Sequence, residues 1–223
     1  MRLQLKDFFK ELGTITYDYF KWLLGYHLNL LGSFKNLFIN LYYDTKLNIE
    51  TIRREKKNIL IKDAIHYEAT NYNIIKIILN YLQLKKEDIF VDIGCGKGRA
   101  LFFTASQYKI KRVIGIEADT KIFDIAKRNL KHLKSRKTSV FLYHSNATDF
   151  DFKDGTIFFM YHPFGPKTQK AVLDKIHRNI IKKNKKIRIV YVTPAYSFVY
   201  DEIPWLKFER ALCKGYVQIW HSK

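Results

Sequence analysis

Between residues 71 and 192, hydrophobic residues fall alternately into short continuous runs and into stretches with helical spacing. The short runs predict buried strands at Asp88–Val91, 111–116, 138–143, 156–161 and 187–192. The helical stretches predict helices at 71–84, 97–107, 120–134 and 167–182. Regular alternation of strands and helices is typical of a parallel sheet covered by helices. The pattern therefore predicts an α/β fold.

The C-terminal residues show a different pattern. Leu206–Leu212 and Tyr216–Trp220 alternate between apolar and polar positions and flank Lys214 and Gly215. Such alternation around a turn predicts an antiparallel hairpin. Together with the five strands before it, the hairpin gives a sheet of seven strands that is mostly parallel.

The N-terminal residues predict a helical extension, residues 1–60, before a domain at 61–223. Apolar residues between Tyr17 and Tyr43 recur at helical spacing and form a broad apolar face. Charged residues interrupt the stretch too often for a spanning helix or a signal peptide. Three hypotheses for the cover of this face are the protein's own core, a second copy of the chain, and a membrane surface contacted through residues 1–45.

The chain of 223 residues has a formal net charge of +19, which suggests nucleic acid as one candidate partner. The excess is spread along the chain, however, because residues 1–60, 61–150 and 151–223 carry +4, +7 and +8. Two denser basic runs, 131–137 and 182–188, fall at predicted helix ends, where cations favour the helix dipole. Cys95 and Cys213 have no spacing typical of a metal site or a disulfide framework, which predicts no metal site and a reducing cytosol.

A glycine-rich turn follows the first strand. Asp92 precedes a G-x-G-x-G pattern that consists of Gly94, Cys95, Gly96, Lys97 and Gly98. Glycine lets a backbone approach a ligand closely, and the helix after it points unpaired N–H groups at the turn. The second strand ends in Glu117, whose carboxylate can accept bonds from two ribose hydroxyls. The combination predicts a nucleotide-like cofactor; the competing hypothesis is a tight turn with no ligand.

The segments VDIGCGKGRA and VIGIEAD resemble class I, Rossmann-like S-adenosylmethionine-dependent methyltransferases. From about Tyr43 onward the chain also resembles a bacterial group of these enzymes, on the segments HYEAT (66–70), NATDF (146–150) and YHPFG (161–165). The resemblance implies S-adenosylmethionine as the cofactor. It implies contacts with the methionine part from Asp92, Gly94, Cys95, Gly96 and Gly98, and with the ribose from Glu117.

The resemblance places the adenine end at Asn146, Ala147 and Asp149. Relatives usually carry aspartate at the position of Asn146, whose amide oxygen can still accept one bond, and Asp149 is the substitute candidate. Tyr67, with Glu68 beside it, is expected to fold over the cofactor as a lid.

The acceptor is expected to face Tyr161, His162, Pro163 and Phe164, at the strand end where open α/β sheets bind ligands. This loop resembles the Asn/Asp-Pro-Pro-Tyr/Phe loop of amine methyltransferases, which implies methylation of a protein side chain or another amine. His162 is a general base or a loop histidine bonded to backbone. Lys97 and Arg99 either meet an anionic group or project into solvent.

Two functional alternatives remain at this point. One is an RNA or DNA methyltransferase, which the basic charge would suit. The other is a non-catalytic scaffold associated with a membrane. We expect a cytoplasmic protein, with peripheral membrane contact as the alternative location.

Overall fold

A computed structural model describes residues 34–53, 67–181 and 186–223. Helix α1 covers residues 34–47. The elements after it are α2 Tyr72–Leu82, β1 Ile89–Ile93, α3 Arg99–Gln107, β2 Arg112–Glu117, α4 Thr120–His132, β3 Val140–His144, β4 Ile157–Tyr161, α5 Pro166–Ile181, β5 Arg188–Val192, α6 Phe198–Asp201, β6 Leu206–Leu212, a 3₁₀ turn Cys213–Gly215 and β7 Val217–Ser222.

The seven strands form one sheet in the order β3-β2-β1-β4-β5-β7-β6. The first five strands along the chain pair in parallel, whereas β7 pairs antiparallel with β5 and with β6. The chain thus places its last strand between β5 and β6. The predicted fold class, a mostly parallel sheet of seven strands with an antiparallel C-terminal hairpin, is confirmed.

Burial of β1 on both faces explains its continuous apolar sequence. Successive side chains of a strand point to opposite faces. Ile89, Val91 and Ile93 belong to the same buried cluster as Val172 and other residues of α5. From β1 to β2 and β3 the chain moves towards one edge of the sheet, and from β4 to β5 it moves towards the other edge. Because each crossover is right-handed, α3 and α4 lie on the face opposite to α5. Asp92, between Val91 and Ile93, therefore points to the α3 face.

The predicted elements agree with the structure to within a few residues. Helix α4 ends at His132, two residues before its predicted end, and β7 continues to Ser222. The short helix α6 and the 3₁₀ turn are too brief for periodicity to predict.

The chain divides by its contacts into Met1–Asn40 and Leu41–Lys223. The predicted boundary after residue 60 lies within 54–66, outside the described residues, but residues 41–53 already belong to the unit that contains the sheet. Most of the predicted amphipathic face lies in residues 1–33, which are also outside the described part, so the hypotheses for its cover stay predictions. Of the residues that the structure describes, none belong to a helix long and apolar enough to cross a membrane.

A buried polar cluster ties residues 44–51 to the sheet domain. Asp44 accepts hydrogen bonds from the Thr51 N–H at 2.8 Å, from the Thr51 hydroxyl and from the Tyr72 hydroxyl at 2.7 Å. Arg99 Nε donates to Thr51 Oγ1 at 2.6 Å and lies 3.8 Å from Asp44 Oδ1. Asp44 and Arg99 are only 5% and 4% exposed, so each charge depends on the other members for its compensation.

Asp44→Ala should destabilise the protein by about 3–5 kcal/mol, because it leaves a buried guanidinium uncompensated. Tyr72→Phe, which removes one hydroxyl from the same carboxylate, should cost about 1 kcal/mol. Urea unfolding followed by circular dichroism measures both values. Equal losses in the two variants would show that the Asp44 charge does not compensate Arg99.

Candidate functional site: a glycine turn at the carboxyl edge of the sheet

Four parallel strands end at the same edge of the sheet. These are β1, β2, β3 and β4, with the last residues Ile93, Glu117, His144 and Tyr161. The segments predicted to bind a cofactor or an acceptor follow directly after these ends. The fold therefore brings the glycine turn, Glu117, the loop at 145–150 and the loop at 161–165 to one edge.

The glycine turn is held by the neighbouring strand and packed closely on its outer side. The N–H groups of Gly94 and Cys95 both donate to the Ile116 carbonyl at 2.9 Å. Gly96 has a φ of +56°, and a Cβ there would lie 2.4 Å from the Tyr67 ring. A Cβ on Gly94 would lie 2.7 Å from Cβ of Pro163. Any larger residue at these positions would displace groups that line the turn.

Glu117 is fixed by two backbone donors. Its Oε2 accepts from the Gly96 N–H and its Oε1 from the Asp119 N–H, both at 2.9 Å. A carboxylate offers about four lone-pair positions, so each oxygen can accept one bond more. Burial raises the pKa of Glu117, and the backbone N–H groups act against that rise. The side chain is thus oriented and retains capacity for two hydroxyl donors.

Asp92 lies beneath the turn and is almost completely buried. Burial and the nearby Glu117 charge raise the pKa of Asp92 to about 8, against the effect of the Leu101 backbone N–H. The same burial, with the Asp92 and Glu117 charges, raises the pKa of the Cys95 thiol well above its usual value. Cys95 therefore stays protonated near neutral pH and does not act as a thiolate.

Of the two alternatives for Lys97 and Arg99, projection into solvent is wrong, because both side chains are buried and lie near carboxylates of the protein itself. Lys97 Nζ donates to Glu50 Oε1 at 3.0 Å and to the Arg53 carbonyl at 2.7 Å. Arg99 belongs to the polar cluster with Asp44. Neither cation projects into solvent, and each is compensated by residues 44–53.

Asn129 completes this connection and was missed by the sequence interpretation. Its Nδ2 donates to the carbonyls of Lys97, at 2.9 Å, and Glu50, at 3.0 Å, while its Oδ1 accepts from the Glu50 N–H. Asn129 continues the buried face of α4 after Ile122 and Ala126. The sequence did carry one signal for Asn129: it is a polar residue at a helix position where the spacing predicts an apolar one.

Tyr67 lies where a lid over the glycine turn would lie. Its ring packs against Gly96, its hydroxyl donates to the Thr51 carbonyl at 2.8 Å, and Lys97 Nζ lies 5.3 Å from the ring centre. These contacts anchor the lid position to residues 44–53. Whether Tyr67 covers a cofactor stays a prediction.

The loop after β3 lies beside Glu117, because the Ser145 N–H donates to the Glu117 carbonyl at 3.1 Å. Asn146 Oδ1 accepts from the Thr148 N–H at 3.2 Å, so one of its two acceptor positions is used within the loop. Asp149 is exposed and Ala147 is buried. Both predicted acceptors for adenine, Asn146 and Asp149, are exposed, and the Thr148 hydroxyl donates to Asp149 Oδ1 at 3.4 Å.

The loop after β4 is held by a contact between Tyr161, which the sequence predicted to face the acceptor, and Tyr216, which the sequence interpretation did not single out. The Tyr161 hydroxyl lies 3.1 Å from the Tyr216 hydroxyl, and burial, Tyr216 and Glu68 all raise the pKa of Tyr161. Pro163 packs on Gly94, and Phe164 is buried. Tyr216 directly precedes β7, and the start of β7 pairs with the end of β5. This long-range pairing places Tyr216 at the carboxyl edge of the sheet.

His162 is bonded to a tyrosine rather than to backbone. Its Nδ1 lies 2.9 Å from the Tyr191 hydroxyl, which accepts the Tyr196 N–H at 3.3 Å. The Tyr191 hydroxyl thus has its own proton to donate to Nδ1, and Nε2 then carries the ring proton. Burial lowers the pKa of His162, which makes it a weak acceptor for an ammonium proton. The arrangement favours a positioning role over the predicted general base.

Comparison with known proteins agrees with this geometry. The model of the family "Histone methylation protein DOT1" matches residues 62–159. A crystal structure of an RNA methyltransferase from Salinibacter ruber, in complex with S-adenosyl-L-homocysteine, is similar with a TM-score of 0.50 and 15% identity, over 70% of this chain and 92% of that one. The chain has the class I methyltransferase fold.

Two curated relatives carry protein-lysine activity in their names. A histone-lysine N-methyltransferase, H3 lysine-79 specific, from Dictyostelium discoideum is 26% identical over 174 residues, which are 72% of this chain and 9% of that protein. A protein-lysine N-methyltransferase from Saccharolobus islandicus (strain REY15A) is 24% identical over 98 residues, 44% of this chain and 60% of that protein. The chain therefore spans only part of the length of these relatives.

Asp92→Asn should change how stability depends on pH. The folded pKa of about 8 lies above the ordinary value of 3.8, so the folded protein retains a proton that the unfolded chain releases, and stability falls as pH rises between these values. Relative to Asp92→Asn, the wild type should lose up to about 1.4 kcal/mol per pH unit over that interval. Urea unfolding from pH 5 to 8 measures the difference; parallel curves would contradict the raised pKa.

Proposed function

We propose that this chain is an S-adenosylmethionine-dependent methyltransferase that methylates an amine nitrogen of a protein side chain. The observation that carries the proposal is the glycine turn, with Glu117 oriented by the turn's own N–H at the end of the adjacent strand. The similarity to the DOT1 family and to protein-lysine methyltransferases supports the reaction and the protein acceptor. Membership of the narrower bacterial group with the Y-x-P-F-G motif is part of the same proposal.

The residues of the edge fit the cofactor in shape and hydrogen bonding. Glycine at positions 94 and 96 lets Pro163 and Tyr67 approach the turn closely, so these two side chains would flank a cofactor bound at the turn. Glu117 keeps two acceptor positions for the ribose hydroxyls, and Asp149 offers an exposed acceptor to the adenine amine. Asp92, Gly94, Cys95, Gly96 and Gly98 would surround the methionine part.

The charges of the edge also suit a cationic donor. In a chain of net charge +19, four carboxylates lie at or just after the strand ends or adjoin the lid: Glu68, Glu117, Asp119 and Asp149. Asp92 adds little negative charge near neutral pH, because its pKa is raised to about 8. The two cations of the turn are compensated by Glu50 and Asp44. When bound, S-adenosylmethionine supplies a methyl group on a positively charged sulfur, which negative groups nearby would stabilise.

The acceptor side has groups that can hold a cationic amine. Tyr161 and Tyr216 present paired hydroxyls, and Glu68 lies close enough to raise the pKa of Tyr161. The Thr193 N–H donates to the Tyr216 carbonyl at 2.8 Å, and Thr193 Oγ1 is buried with no hydrogen-bond partner among the described residues. An ammonium group donates hydrogen bonds and is attracted by aromatic faces, so it matches these acceptors.

An amine must be neutral to act as a nucleophile, so a proton has to leave before transfer. Glu68 is exposed and can receive that proton and pass it to solvent. Tyr161 then orients the nitrogen through its hydroxyl, while Pro163 and Phe164 keep the loop against the glycine turn. Alignment and exclusion of water are the main contributions that such a displacement requires from protein.

Gly96→Ala should weaken S-adenosylmethionine binding at least tenfold, because the added Cβ collides with Tyr67. Gly215→Ala is the matched control, since Gly215 has a φ of +90° and nothing within 4 Å of a Cβ, so it adds backbone strain without a collision. Calorimetric titration with S-adenosylmethionine and S-adenosylhomocysteine measures both, with Glu117→Ala expected to weaken binding similarly. Unchanged affinity in Gly96→Ala and Glu117→Ala would exclude this site.

Tyr161→Phe should lower kcat/KM about tenfold or more, because it removes a hydrogen bond to a charged group. Tyr108→Phe, in the loop before β2, should leave activity unchanged. The measurement is transfer of a radiolabelled methyl group to a cell-extract protein fraction, with parallel protease and ribonuclease digestion. If ribonuclease releases the label and protease does not, the acceptor is RNA and the proposed protein acceptor is wrong.

A further inference from the structure

A groove along α4 lies outside the residues assigned to the cofactor and the acceptor. Its apolar floor consists of half-buried side chains from α4, the residue after it and β3: Phe123, Leu130, Leu133 and Leu142. Its rim consists of exposed cations: Lys127, Lys131, Lys134 and Arg136. Helix α4 starts next to Glu117 and runs away from the carboxyl edge, so the groove begins near the candidate site and extends roughly 16 Å along the helix.

The cationic rim is a local concentration of charge. Residues 120–137 hold seven lysines and arginines and one acidic residue, Asp124, which gives a net charge of +6 in this segment. Within the described residues, none of the four rim cations forms an ion pair. Lys127 and Lys131 lie one turn apart on α4 and share one face of it, whereas Lys134 and Arg136 belong to the segment that follows the helix.

The floor distinguishes between two kinds of anionic partner. Single-stranded nucleic acid needs open aromatic faces on which bases stack. Phe123 is the one aromatic residue of the groove lining, its ring is stacked on His144 at 4.9 Å, and Lys127 Nζ lies 5.8 Å from its centre. The three leucines offer aliphatic surface, which suits apolar side chains of a protein helix.

We propose that this groove binds an acidic amphipathic helix of a partner protein. Apolar side chains of the helix would cover the leucine floor, and carboxylates one turn apart would face Lys127, Lys131 and Lys134. The undescribed segments of this chain are not complementary to it, because residues 1–33, 54–66 and 182–185 carry net charges of +1, +2 and +3. The proposal does not depend on methyl transfer.

The experiment uses the full chain and a fluorescent synthetic helical peptide of about three turns, with leucine on one face and glutamate on both flanks. Fluorescence anisotropy should show binding that weakens at least about fivefold in Lys131→Gln/Lys134→Gln. Lys86→Gln/Lys207→Gln removes the same charge from exposed positions elsewhere and should change the affinity by less than about twofold. Circular dichroism of each variant checks that the fold is retained.

Two altered peptides and one oligonucleotide complete the test. Glutamine in place of every glutamate, or serine in place of every leucine, should each weaken binding to the unaltered protein at least about fivefold. Failure of the acidic peptide to bind, or equal losses in the two double variants, would overturn the proposal. The proposal would also be overturned, in favour of nucleic acid, if oligo-dT binds more tightly than the peptide and its binding is lost in Lys131→Gln/Lys134→Gln.

Discussion

The side chains of Lys97, within the glycine turn, and Arg99, directly after it, are both buried. A buried cation needs a compensating partner, because it has lost its hydration. Residues 44–53 supply the partners, Asp44 and Glu50, and so this N-terminal segment packs against the turn. The same segment accepts the hydroxyl of Tyr67 and holds that ring against the glycines. The shape of the candidate cofactor site thus depends on ion pairs with a segment outside the strand, turn and helix that carry the glycine motif.

The distribution of charge gives the molecule two different surfaces. Glu117, Asp119 and Asp149 lie at or just after the ends of parallel strands, while the cations of α4 and of the segment after it form a separate basic rim. In a chain of net charge +19, carboxylates close to the proposed site would reduce the repulsion of a cationic donor and a cationic amine. The proposed site and the proposed docking groove therefore differ in the sign of their nearby charges.

The similarity to the DOT1 family ends at residue 159, within β4. It covers the glycine turn and Glu117, which we propose as the donor side, but not Tyr161 at the end of β4 or Tyr216 before β7. The donor side is therefore supported by both sequence similarity and geometry. The acceptor side rests on geometry, with the named activities of the relatives as further support.

The sequence by itself determined the strands, the main helices, the sheet class and the glycine turn, because these depend on local periodicity and on glycine backbone freedom. Only the tertiary structure decided that Lys97 and Arg99 are buried, that Asn129 joins the turn to Glu50, and that Tyr216 meets Tyr161. These contacts join residues 30 or more positions apart, and the sequence carries no local signal for partners that a fold brings together. The basic rim of α4 was visible as a charge run, but its leucine floor required the packing of α4 on β3.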